Sequence, residues 1–177
     1  MSASTATAAA PALRAPTRWP WALLGVFLLI AFIATVLVAV NGESVAEQIP
    51  FVIAFGGRGA VGALLLSRGP RNRIGVFLLY AACLTAASFL CGEITTYLVD
   101  SGRVGGSLVV GAALMSTVGW VLGILPVLFF LPLVFPDGHL PSRRWRPLGW
   151  ATAIFVGLLG ALSVIGTKVL TGSTDEV

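Results

Sequence analysis

Few residues in this 177-residue chain could do chemistry, and their types narrow the options quickly. There is one histidine, His139, and there are two cysteines, Cys83 and Cys91. A single histidine excludes a multi-histidine metal site and a histidine-paired catalytic triad within one chain. In its basic loop it reads as a polar residue at headgroup level. The cysteines fall within one apolar run, too far apart along a helix to bridge, and read as small packing residues. Gly56-Gly57-Arg58-Gly59 lacks the spacing and the Lys-Ser/Thr pair of a phosphate loop. What remains is Arg58 and Glu93, two ionisable residues inside long apolar stretches. Charge within a membrane is expensive and usually faces a bundle interior with a partner. By depth, Glu93 on the following helix is the nearest partner for Arg58. The two form the candidate intramembrane polar pair, as a buried switch or as a seat for an anionic ligand. A structural ion pair, or an arginine that snorkels to the interface, remains the alternative. No nucleophile–base pair or metal motif is present, so the expectation is a non-enzyme without catalytic residues, metal or cofactor.

The elements that must position these residues follow from composition. Apolar residues make up 57% and charged residues 10%, against roughly 45–50% and about 25% in soluble domains. The mean hydropathy is +0.97, which places the chain in the membrane class. Residues 1–18 contain Arg14, Arg18 and no acid, and read as a disordered cytoplasmic tail. Five apolar runs follow, predicting spans at about 19–40, 49–66, 74–99, 108–135 and 148–166, and a polar extracytoplasmic tail at 167–177. The first is too long for the apolar region of a signal peptide and reads as a retained helix. The second, interrupted by Arg58, is the weakest span. Its eight strongly apolar residues (Phe51 and Leu66 among them) return roughly 2.4–4.8 kcal/mol, against about 2.5–3.5 kcal/mol for a central arginine. Asn41–Gln48 reads as a loop. Pro126 and Pro132 predict a kinked or tilted fourth helix, and Tyr80 and Trp120, at mid-span, predict core aromatics.

Charge orients the bundle. The N-terminal tail and the loops 67–73 (Arg68, Arg71, Arg73) and 136–147 (Arg143, Arg144, Arg146) hold eight basic residues, and the alternate loops and C-terminal tail hold two, Arg103 and Lys168. The positive-inside rule then puts the N-terminus in the cytoplasm and, with five spans, the C-terminus outside. The net charge of +4 therefore points to anionic lipid headgroups rather than to nucleic acid. Small residues supply packing faces: Gly119-x-x-x-Gly123 with Ser116 on the fourth span, and Ala153-x-x-x-Gly157-x-x-x-Ala161 on the fifth. Such faces bring helices close, within one chain or across a homodimer. Between the fourth and fifth spans, Phe135-Pro136-Asp137-Gly138 supplies a turn.

Two stretches carry a family likeness: Arg68-Gly-Pro-Arg-Asn-Arg-Ile-Gly75 and Phe135-Pro-Asp-Gly-His-Leu-Pro-Ser-Arg-Arg-Trp-Arg-Pro147. In order and spacing they resemble the N-terminal membrane region of actinobacterial sensor histidine kinases and related multi-span proteins. The acid followed by Tyr at Glu93 and Tyr97 is similar as well, and the likeness spans roughly residues 20–166. Arg73 stands where that family usually has Pro, and His139 where it usually has Arg; both keep the basic character. Family kinases continue into a cytoplasmic phosphoacceptor helix and ATP-binding region, which this sequence does not contain. The resemblance therefore implies an all-α polytopic bundle in a bacterial inner membrane, a sensory input module without catalytic output. It would act through partner membrane proteins or a second copy of itself, with the two basic loops as contact surface. A small non-signalling membrane protein, such as a transporter accessory subunit, is the alternative.

Overall fold

The computed structural model describes residues 18–69, 71–104, 106–134 and 142–172. Its elements are α1 (Trp19–Val40), α2 (Val45–Arg68), α3 (Arg73–Asp100), α4 (Ser107–Val134) and α5 (Arg146–Gly172), the last preceded by a single 3₁₀ turn at Arg143–Trp145. Four of these, α1 to α4, are long and apolar enough to cross a membrane. The apolar part of α5, Arg146–Leu162, is shorter. The predicted tails at 1–17 and 173–177, and the Phe135–Gly138 turn with His139, lie outside the described residues.

Local chemistry explains where the helices begin and end. Helices α1 and α3 stop in the same way. Gly42 and Gly102 adopt φ of +78° and +74°, the left-handed conformation that closes a helix at little cost only for glycine. The residue after each glycine bonds back across the terminus, Glu43 N to Val38 O at 3.0 Å and Arg103 N to Leu98 O at 2.9 Å. Helix α3 starts at Arg73 because the Asn72 side chain accepts the Gly75 amide at 2.9 Å, a helix N-cap. Helix α2 begins at Val45, four residues before the predicted start, so the expected loop ends at Ser44. Glu47 then falls in the first turn, where a carboxylate meets the positive end of the helix dipole. Pro50 is tolerated because the carbonyl it deprives, at Ala46, lies in that same first turn. Helix α4 runs unbroken through Pro126 and Pro132. Helix α5 continues past Gly166, the predicted end, to Gly172.

Helix α3 is the centre. It packs against α1, α2 and α4, whereas among the described residues α5 packs on α4 alone beside its own 3₁₀ turn. Half of its apolar window is buried, against 11–22% for the other three long helices. The interior is built from small residues around a few large ones: Phe27, Ala31, Ala82 and Ala86 form one cluster, and Leu66 and Leu79 are fully buried nearby. The outside is apolar. Phe32, Ile53, Leu108 and Trp150 are each about two-thirds exposed or more, an arrangement suited to a lipid solvent and not to water. Tyr80 is 58% exposed and points away from the bundle, so it is not the core aromatic expected. It shares an exposed side of α3 with Val76, one turn earlier.

The α2–α3 hairpin closes on two glycines. A Cβ on Gly62 would lie 2.8 Å from Leu79 N and 2.9 Å from Gly75 O, and one on Gly75 would lie 2.9 Å from Leu66 Cγ and 3.0 Å from Gly62 O. Most of those neighbours are backbone and cannot rotate away. Gly57, by contrast, has open space where a Cβ would go. We expect Gly62→Ala and Gly75→Ala each to destabilise the bundle by about 1–3 kcal/mol, the usual cost of overpacking. Gly57→Ala should be neutral or stabilising by up to about 1 kcal/mol through helix propensity. Thermal unfolding in mild detergent compares the three directly.

Candidate functional site

The middle of α2 carries Arg58, and its guanidinium ties three helices together. One terminal nitrogen donates to Ala81 O at 2.7 Å and to Thr85 Oγ1 at 2.8 Å, both on α3. The other donates to Gly123 O on α4 at 3.2 Å. Thr85 Oγ1 in turn donates to Ala81 O at 2.7 Å. The guanidinium carbon also lies 4.8 Å from the centre of the Phe55 ring, one turn earlier on α2, a cation–π contact. A planar fork suits this arrangement, since its donors diverge towards acceptors on different helices. Arg58 Nε is buried without a partner among the described residues.

The expected Arg58–Glu93 pair does not form. Glu93 lies eight residues beyond Thr85, about 12 Å along the helix. It takes a different partner: Asn41, the residue capping the end of α1, donates through Nδ2 to Glu93 Oε2 at 3.0 Å and to the Glu93 carbonyl at 3.2 Å. The carboxylate is buried, with the residue 9% exposed. Its charged neighbour is another acid, Glu43 in the α1–α2 loop, and no described cation pairs with it.

Beside Glu93, a cavity of about 200 Å³ opens between α3 and α4, lined by Ser88, Phe89, Gly92, Glu93, Ser116 and Trp120. Two of its lining residues continue inward as an aromatic cluster. Phe89 and Trp120 meet edge to face at 5.2 Å, and both meet Phe55, at 6.0 Å and 5.9 Å. Phe55 is the ring beneath Arg58. Packed side chains thus run without a break from the cavity to the arginine. Trp120, expected in the core, is 38% exposed and forms the wall of this cavity.

The packing glycines of α4 explain how α3 and α4 come near enough. A Cβ on Gly119 would run into Ser88 Oγ, and one on Gly123 would stand 2.5 Å from Thr85 Oγ1 and 3.2 Å from Thr85 N. This small-residue face is used within the chain, against α3, and it brings the Gly123 carbonyl within reach of Arg58. The corresponding face of α5 does not pack inside the chain. A Cβ on Gly157 would meet nothing within 4 Å, and Ala153 and Ala161 are exposed. Helix α5 meets α4 instead through Phe155, edge to face with Phe129 at 5.8 Å.

The described basic loop residues lie at the α2–α3 connection and at the start of α5. Arg68, Arg71, Arg73, Arg144 and Arg146 are exposed, and Arg143 opens the 3₁₀ turn. Trp19, Trp21, Trp145 and Trp150, all at helix starts on that side, are 44–71% exposed, as an interfacial aromatic belt requires. Cys83 and Cys91 are free thiols, each half-buried. Among the described residues no group of three or more His, Cys, Asp or Glu could hold a metal ion. The residues missed from sequence are Asn41, Thr85 and Phe55. Asn41 carried a signal, standing directly before a loop glycine; a backbone acceptor such as Ala81 O carries none.

Disabling the Arg58 hub should weaken the bundle in a graded way. Thr85→Val removes one of the acceptors and should cost about 1–2 kcal/mol. Arg58→Lys should cost more, because a single ammonium cannot span acceptors on both α3 and α4. Unfolding by denaturing detergent checks the order, and equal stability of all three proteins would show that the hub is not structural.

No protein-family model, curated protein or solved structure matches this chain, so its function has to be read from this geometry.

Proposed function

We propose that the chain is a sensory input module of a bacterial inner membrane, with five spans and its N-terminus in the cytoplasm. In this reading, occupancy of the cavity beside Glu93 is converted into movement of the basic loops, which partner membrane proteins read. The observation that carries it is the continuous contact from the cavity through Phe89, Trp120 and Phe55 to Arg58. An occupant pressing on Phe89 or Trp120 presses on the ring that supports the arginine. Arg58 in turn sets how α2 and α4 sit on α3. Packed interiors respond to such pressure by moving between discrete arrangements rather than by deforming smoothly.

Two further features support the reading. The likeness of the loops at 68–75 and 135–147 to sensor-kinase membrane regions suggests the class. The Glu93 end of α3 is separated from the basic Arg73 end by about 30 Å over twenty residues, which in this reading sets input and output on opposite faces. The fifth span is part of the proposal, since the apolar part of α5 is shorter than that of the other four.

Filling the cavity by mutation should mimic its occupant. Ser116→Phe places a ring in it from the α4 side. With Cys83 and Cys91 replaced by Ala, spin labels at Arg71→Cys and Arg144→Cys report the distance between the two basic loops in lipid nanodiscs. Ser116→Phe should shift that distance by about 1–5 Å, the range of helix shifts and one-turn slips. An unchanged distribution would end the input-module reading.

A further inference from the structure

We infer that the cavity beside Glu93 is a binding site for a primary alkylammonium group. The assignment rests on reading the cavity as the input site, and it begins with charge. A buried carboxyl group held by one neutral amide, with a second acid as its charged neighbour and no described cation on it, is a group that a bound cation would hold in its ionised form. Burying a carboxylate without a counter-charge is costly, and a bound cation removes that cost. An anionic occupant is excluded by the same charges. Arg58, half-buried within the bundle, is engaged elsewhere, on Ala81, Thr85 and Gly123.

The lining decides which cation. Ser88 Oγ already donates to Leu84 O at 2.8 Å, and Ser116 Oγ to Ala113 O at 3.2 Å. Both hydroxyls therefore present lone pairs to the cavity and accept. With the Glu93 carboxylate they form an acceptor set that an ammonium with several N–H groups satisfies. Phe89 and Trp120 offer aromatic surface, which attracts alkylated cations and gives a hydrated metal ion nothing to coordinate. One carboxylate and two hydroxyls are also too few for a hard divalent cation, which takes six or more oxygen ligands, except by keeping most of its water. The space is adequate: about 200 Å³ exceeds the roughly 150 Å³ cavity that accepts a benzene ring.

Depth leaves two sources for the same group. Glu93 lies seven residues, about 10 Å, before the end of α3. That is just inside the hydrocarbon edge of a helix of 28 residues. A free amine from outside and the ammonium of a phosphatidylethanolamine headgroup both reach this level.

The test uses the full chain in nanodiscs and a thermal unfolding midpoint. In phosphatidylglycerol nanodiscs, ethanolamine is titrated at constant ionic strength, with sodium and magnesium chloride as comparisons. In a second arm, phosphatidylethanolamine is added to the nanodiscs and lipid retained on the purified protein is identified by mass spectrometry. A saturable rise with ethanolamine, absent in Glu93→Gln and weakened at least tenfold in Trp120→Leu, supports the site with a free amine. Stabilisation by phosphatidylethanolamine alone, with that lipid retained by the wild type and lost from Glu93→Gln, supports it with a lipid headgroup. Equal effects of sodium or magnesium, or equal responses of wild type and Glu93→Gln, overturn it. If Glu93→Gln fails to fold, Ser116→Phe supplies the blocked cavity, and amine binding unaffected by that ring also overturns the proposal. Amine binding without movement of the basic loops would keep this site and remove the input module; loop movement in Ser116→Phe without amine binding would do the reverse.

Discussion

An arginine at the centre of an apolar helix costs about 2.5–3.5 kcal/mol on insertion scales, and hydrocarbon supplies no water to relieve it. Much of this bundle can be understood as the answer to that constraint at Arg58. Its donors need acceptors, and a bilayer interior offers only those that other helices bring. Helix α3 brings Ala81 O and Thr85 Oγ1, and α4 brings Gly123 O. For α4 to come that near, its facing residues must be small, and Gly119 and Gly123 leave no room for a Cβ against Ser88 and Thr85. For α2 to lie flat on α3, Gly62 and Gly75 must both lack side chains. The glycines and the arginine are thus one device. The glycines permit the approach, and the arginine gives it a direction and a register.

This accounts for the central place of α3, which is otherwise unremarkable in composition. It is the helix whose polar atoms, Thr85, Ser88 and Glu93, all turn inward and are all buried. Hydroxyls in an apolar helix often bond to their own backbone one turn back, and Thr85 and Ser88 both do so. Each keeps acceptor capacity after that bond. At Thr85 the spare capacity is taken by Arg58; at Ser88, one turn on, it faces a cavity. The same local chemistry thus produces a closed site at one depth and an open one at the next.

The four long apolar helices and the unusual position of Arg58 were legible in the sequence because each is one-dimensional: a run of apolar residues, and a charge where none belongs. The partner of Arg58 was not legible. Matching Arg58 to Glu93 used depth alone, and the carbonyls that hold the guanidinium leave no trace in residue identity. Rotation about the helix axis was equally hidden. Tyr80 and Trp120 read alike as mid-span aromatics, yet one faces outward from α3 and the other lines a cavity. The helix starts and stops were partly readable, since Asn72 as an N-cap and Gly42 and Gly102 as closing residues follow known rules. The start of α2 was misjudged because Glu47 and Gln48 precede the apolar run and read as loop, whereas an acid is favourable in the first turn of a helix.

That Arg58 and Glu93 both lie inside the bundle and are not paired with each other is itself informative. An ion pair between them would have neutralised both charges and left nothing for a ligand to recognise. Instead Arg58 is held by backbone and hydroxyl oxygens that belong to the scaffold. Its charge is settled once the helices assemble. Glu93 is held by a neutral amide, which orients the carboxyl group and supplies no counter-charge. Asn41 does this from the end of α1, so the orientation of the carboxylate depends on how α1 seats against α3. The bundle therefore separates the two tasks that a buried charge can perform. The cation fixes the packing of α2, α3 and α4, and the anion remains available beside an open cavity. The aromatic cluster of Phe55, Phe89 and Trp120 is a packed path between them, beside the turn of α3 that carries Thr85 and Ser88.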